Sequence, residues 1–136
     1  MKRSRINTIL AEAEAYMAGF GFVLPPFAQW SAAEFRARKP EAGRIIAARM
    51  GWDVTDYGQG DFDRLGLFLF TLRNGDLADL RRGQGMAYAE KLLISRQDQI
   101  SPMHTHALKV EDIINRGGAR LAVQLFGSDP QGHFDE

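Results

Sequence analysis

At Leu67 the hydrophobic spacing of this 136-residue chain changes, and that change limits what the chain can fold into. Before it, apolar residues recur at helical intervals. After it, they run in short blocks bounded by turn residues. Residues 4–18 put Ile6, Ile9, Leu10, Ala13 and Met17 on one helical face, with Ser4 as the expected N-cap and Gly19 and Gly21 as stop signals. Leu24-Pro25-Pro26-Phe27 cannot continue a helix, because proline lacks the N–H and forces its neighbour towards extended geometry. Ser31-Ala32-Ala33-Glu34 spells a capping box opening a second short helix, and a third is expected from Glu41 to Met50, stopping at Gly51. Trp52 to Gly66, rich in glycine, aspartate and aromatics, reads as a packed irregular segment.

Leu67 to Leu72 then reads as a strand ending in the turn signal Arg73-Asn74-Gly75-Asp76. Further strands are expected at Ala87–Ser95, Gln99–His106, Val110–Asn115 and Leu121–Phe126, with Arg116-Gly117-Gly118 as a turn between the last two. The expected architecture is one domain over residues 1–136. A helical arm and irregular segment fill 1–66, and short antiparallel strands fill 67–136. Trp30, Trp52, Phe62, Phe68 and Phe70 are assigned to the core.

Charge and composition remove whole classes of function. The 17 basic and 17 acidic side chains cancel, and the densest basic spots, Lys2-Arg3-Ser4-Arg5 and Arg81-Arg82, are too small for a phosphate-tracking surface. Nucleic acid is therefore not an expected partner. The chain contains no cysteine, so neither disulfides nor thiolate metal sites arise. No apolar run approaches the roughly 20 residues that span a bilayer. Asn7, Glu12 and Glu14 interrupt any signal-like core near the N-terminus, so the expectation is a cytoplasmic protein with no membrane partner.

One segment concentrates polar chemistry: Pro102-Met103-His104-Thr105-His106 through Gly118. On a strand, residues i and i+2 share a side, so His104 and His106 would face one way. A tight turn in the following residues would bring the Glu111 carboxylate to the same place. Two imidazoles and one carboxylate suit Mn, Fe(II) or Zn and leave positions open for a substrate oxygen. On spacing alone an HxH pair is also the mark of an exposed strand that binds nothing. Lys109 would project beside Glu111, and on the residues alone it reads as an ordinary solvated partner of the acid. Lys91, in Tyr88-Ala89-Glu90-Lys91, is the inward-facing candidate of that strand. Asp112 is assigned a structural role, Arg116 a place in the turn, and His133 a place in a polar tail.

His104, His106, Glu111 and Gly118 stand at the spacing of the first metal motif of the cupin superfamily: HxH, four residues, Glu, six residues, Gly. That pattern also has a glycine six residues before the first histidine, where this chain has Asp98. Longer blocks are similar to bacterial D-lyxose isomerases. They are Met1-Lys2-Arg3-Ser4 with Ile6-Asn7, Leu24-Pro25-Pro26-Phe27-Ala28, Gly51-Trp52-Asp53-Val54-Thr55 and Phe70-Thr71-Leu72-Arg73-Asn74-Gly75, followed by Tyr88-Ala89-Glu90-Lys91 and Glu111-Asp112-Ile113-Ile114-Asn115-Arg116-Gly117-Gly118.

The resemblance implies a cupin-like jelly-roll of antiparallel sheets and a metal-dependent conversion of D-lyxose to D-xylulose. It implies His104, His106 and Glu111 as metal ligands, Lys109 and Glu111 as catalytic groups, and Lys91 and Lys109 as contacts to a pentose. The expected ion is manganese, with zinc, iron or cobalt as the other candidates. The family is also expected to carry a second motif with a fourth, histidine ligand. Nothing after Gly118 matches it. The expectation is an incomplete barrel, from a truncated product or a reduced variant, that is weakly active and covers its open edges as a homodimer. The competing readings are a non-catalytic metal- or sugar-binding cupin and, more remotely, a dioxygenase.

Overall fold

The computed structural model describes residues 1–106 and 109–135; Ala107 and Leu108 of the motif's gap, and Glu136 of the tail, lie outside the described residues. The chain divides into two compact units, Met1–Ser101 and Pro102–Glu136.

In the first unit, helix α1 spans Arg3–Gly19 and buries Ile9, Ala13 and Met17, a spacing of four that makes one stripe. Lys2 is its N-cap, without a side-chain bond; Ser4, the expected cap, lies inside the first turn and its carbonyl accepts from the Thr8 hydroxyl at 3.2 Å. The other end closes as a Schellman motif. Gly21 N–H donates to Ala18 C=O and Phe22 N–H to Met17 C=O, and Gly21 takes the φ of +68° that this ending requires. After the prolines come a short 3-10 turn at Pro26–Gln29, helix α2 (Ala32–Ala37) and helix α3 (Lys39–Ala47). The capping box is present: Ser31 N–H donates to Glu34 Oε2 at 2.8 Å, and Glu34 N–H donates to Ser31 Oγ at 3.3 Å. The bond from the Ser31 backbone holds the Glu34 carboxyl below its usual range.

Three antiparallel strands follow: β1 (Gly51–Thr55), β2 (Leu67–Asn74) and β3 (Ala89–Ile94), with β2 in the middle. β1 was not expected, because Trp52-Asp53-Val54 lies within a stretch of turn-forming residues that masks its alternation. The register aligns Trp52, Phe70 and Leu92 across the sheet, and next to them Val54, Phe68 and Ile94. These residues share one face. With Ile9, Ala13, Met17 and Phe62 they build the core, while Phe70 stacks on Phe27 at 5.6 Å and meets the Trp52 ring edge-on at 4.7 Å. The Trp52 indole N–H donates to Ala28 C=O at 2.9 Å, so this aromatic is half-buried without an unpaired donor. The core assignment holds for Phe62, Phe68 and Phe70 and, half-buried against them, for Trp52; Trp30 is half-buried outside the core cluster, with Arg38 over its ring.

β2 runs two residues past its expected end. Asp76 then caps a short helix α4 (Leu77–Arg81), its carboxylate accepting from Ala78 N–H at 2.6 Å. Gly75 N–H donates to Tyr88 C=O at 3.0 Å, and a β-carbon at Gly75 would run into Met86 C=O, so only glycine fits where the chain returns. A bulge between Thr71 and Arg73 shifts the pairing, after which Arg73 meets Glu90 at 3.0 Å.

The second unit corrects the expected strands. Among the described residues, none of Gln99–His106, Val110–Asn115 and Leu121–Phe126 forms a strand of a ladder; Ile100 makes a single bridge to Leu65, within the first unit. Alternating apolar and β-branched residues prefer a half-buried pleated surface, but that preference is realised only against a neighbouring strand. Apart from that one bridge no described segment pairs with these, and Val110 is 95% and Leu125 84% exposed. The regular structure in this unit is a two-stranded pair, β4 (Gly127–Ser128) with β5 (Phe134–Asp135). His133, expected in a free tail, is tied into that hairpin: its Nδ1 lies 3.0 Å from Asp129 Oδ2 and its N–H donates to Asp129 Oδ1 at 2.9 Å. The His133 backbone bond holds the Asp129 carboxyl below its usual range.

Candidate functional site

The approach to the HxH segment is anchored inside the first unit. Arg96 pairs with Glu12 and, at 2.5 Å, with Asp63, which also takes Arg5 at 2.6 Å; the Arg96 guanidinium lies over the Phe62 ring. Gln99 Nε2 donates to Phe62 C=O at 2.5 Å, and a β-carbon at Gly66 would strike both of those groups. Asp98 stands at φ +58°, in the left-handed region. That is the position where the cupin pattern has glycine, and aspartate is one of the few other residues that tolerates it.

Four of the expected site residues come together in the second unit. The His104 and His106 rings are 4.7 Å apart, edge to face. His106 Nδ1 is 3.5 Å from Glu111 Oε2, and the Lys109 ammonium donates directly to Glu111 Oε1. None of these four residues lies in a strand, so the strand alternation expected to align the two histidines does not bring them together. Lys109 comes first among the causes that hold the Glu111 carboxyl below its usual range, and the charges of His106 and His104 act the same way. Glu111 is therefore ionised throughout the neutral range, and the pair is lost only as pH falls through that lowered value. Side-chain exposures of 29% for His106, 44% for Glu111 and 47% for Lys109 leave the cluster open to water.

His104 Nδ1 lies 2.9 Å from Pro102 C=O. A carbonyl oxygen only accepts, so Nδ1 carries the hydrogen and the lone pair of the neutral ring sits on Nε2. Backbone anchoring of one ring nitrogen is how proteins present the other to a metal. Among the described residues, no three His, Asp or Glu side chains are close enough together to hold an ion as placed. The donor chemistry nevertheless fits a divalent cation: a free imidazole nitrogen, and a second imidazole beside a carboxylate.

Asp112 and Arg116 are exposed. The turn at Arg116-Gly117-Gly118 is held by Asn115, whose Oδ1 accepts from Gly117 N–H at 3.1 Å and whose Nδ2 donates to Ala119 C=O at 2.9 Å. Lys91 belongs to the first unit. Its backbone aligns with Gly51 and Thr71 on the sheet face opposite the core, and it lines a depression there with Arg49, Asp53, Thr71 and Asn74. Asp53 and Thr71 were not expected beside Lys91. Their alternation with Trp52 and Phe70 is the signal, visible once β1 is recognised as a strand.

A sequence model of the D-lyxose isomerase family matches residues 1–136. Two curated relatives carry the name D-lyxose/D-mannose isomerase. The one from Serratia proteamaculans is 45% identical over 131 residues, and the one from Escherichia coli O157:H7 is 42% identical over 130 residues. Each alignment covers 95% of this chain and 56% of the relative, so the chain spans about half the length of the curated relatives it matches.

Proposed function

Because the chain belongs to the D-lyxose isomerase family, we propose that it serves metal-dependent aldose–ketose isomerisation in the cytoplasm, acting on D-lyxose as a single cupin-like domain of jelly-roll type. The relatives' names extend the substrate class to D-mannose, which carries the same arrangement of hydroxyls next to its carbonyl. The observation that supports this reading is the meeting of His106, Lys109 and Glu111, with His104 beside them.

His104 through Nε2, His106 and Glu111 would hold the ion, manganese first among the candidates. A bound divalent ion polarises neighbouring sugar oxygens and stabilises negative charge on them. Isomerisation needs a proton removed from one carbon and delivered to the next. Glu111, ionised at neutral pH, is the chain's own proton acceptor in this cluster. The Lys109 ammonium donates to the sugar oxygen on which charge builds.

The test is ketose formation from D-lyxose with added Mn²⁺. The expected rate is slow, below about 1 per second, the lower end of ordinary turnover. Water at the half-exposed cluster weakens every charge interaction there. The double replacement His104→Ala with His106→Ala should abolish the activity. Ketose formation no faster than that variant's would leave a non-catalytic binding protein, and turnover at ordinary enzyme rates would contradict the expected weakness.

The reading also includes a homodimer. Among the described residues β1 and β3 are the outer strands of the sheet, and outer edges of this kind can recruit other strands. Light scattering across a concentration series should show a mass above the 15.2 kDa of one chain; a constant 15.2 kDa would contradict it.

A further inference from the structure

The Lys109–Glu111 contact sets two cations in competition for one carboxylate. Glu111 Oε1 accepts from the Lys109 ammonium while Oε2 faces His106 Nδ1 at 3.5 Å, so both carboxylate oxygens are engaged within the cluster. An ammonium has no lone pair to offer a metal, and its positive charge repels one. We propose that Lys109 is the resident counter-cation of Glu111 in the metal-free chain and that it leaves this carboxylate when a divalent ion binds, so that Lys109 governs how readily the site loads. This rests on the reading of His104, His106 and Glu111 as the ligands. Its consequence is an order of events: the ion arrives first and releases the Lys109 ammonium, which then becomes free to donate to a sugar oxygen.

The side chain that pairs with Glu111 is about half exposed, so the pair is weak enough to be displaced without unfolding anything. An unpaired ammonium would remain a nearby positive charge, whereas a neutral side chain of similar length would remove both the competition and the repulsion.

The test is calorimetric titration of Mn²⁺, and separately Zn²⁺, into the full chain and into Lys109→Met. The neutral variant is expected to bind about three- to tenfold more tightly, since a screened surface pair and a screened repulsion each contribute little. The advantage should shrink as salt is raised. A second readout is amine labelling of Lys109 followed by peptide mapping. Labelling should be slow in the metal-free chain, faster with Mn²⁺, and fast without metal in Glu111→Gln. Equal or weaker binding by Lys109→Met, with metal uptake still dependent on His104 and His106, overturns the counter-cation role alone. Uptake indifferent to His104, His106 and Glu111 overturns the ligand reading and the competition together.

Discussion

Alanine at position 70 is expected to cost about 3–5 kcal/mol of stability, the usual range for emptying a phenylalanine from a packed core. Phe70 is 0% exposed. It occupies the central strand, flanked in register by Trp52 on β1 and Leu92 on β3, and its ring is closed in by Phe27 and Trp52. The atoms around it belong to all three strands and to the turn after the prolines, so the space cannot collapse by moving one side chain. Whole domains are stable by only about 5–15 kcal/mol, so the variant should unfold at much lower urea concentration, with most of the first unit affected. Leu93→Ala is the control. Leu93 is on an adjacent strand but is 55% exposed on the other face, and its replacement should shift stability by no more than about 0.5–1 kcal/mol. A Phe70→Ala cost below that of Leu93→Ala would contradict the assignment of the core face.

Replacing His104 and His106 together by alanine should lower Mn²⁺ affinity by at least about 100-fold. Changes to groups that merely orient ligands already cost roughly 10- to 100-fold, and this variant removes two donors outright. Fold stability should hardly change. The His104 and His106 rings contact each other, the Pro102 carbonyl and Glu111, in a segment whose apolar residues are largely exposed. Far-ultraviolet circular dichroism checks that the variant is folded, and elemental analysis after dialysis checks the metal. His133→Ala should bind as the parent does, because the His133 side chain is committed to Asp129 in the β4–β5 hairpin. Loss of metal in His133→Ala, with retention in the double variant, would relocate the site.

Much of the first unit was legible because local signals and tertiary packing agree there. The α1 stripe of Ile9, Ala13 and Met17, the Ser31–Glu34 capping box and the alternation of Phe68 and Phe70 each point to the element that forms. β1 was hidden because its flanking glycines and aspartates outvote three informative residues. Helix α4 was hidden because Asp76 reads equally well as a turn residue and as an N-cap. In the second unit the alternation of Leu121, Val123 and Leu125 is real, but a strand is a relation between two segments, and one sequence segment cannot specify its partner. The gathering of His104, His106, Lys109 and Glu111 was expected from spacing, yet none of the four lies in the strand expected to align the histidines, and the Pro102 carbonyl holds His104 instead. The direct Lys109–Glu111 contact depends on the rotamers of two long side chains, which no spacing rule supplies.

The central claim is that imidazole nitrogens of His104 and His106 hold the ion. Pulsed electron paramagnetic resonance of the Mn²⁺-loaded chain reads this directly, because nitrogen nuclei bonded to Mn²⁺ modulate its echo. The expected result is modulation from two imidazole nitrogens in the parent, from one in either single alanine variant, and none in the double variant. Mn²⁺ that binds the parent with no nitrogen modulation, or with modulation that survives the loss of both histidines, would contradict the account.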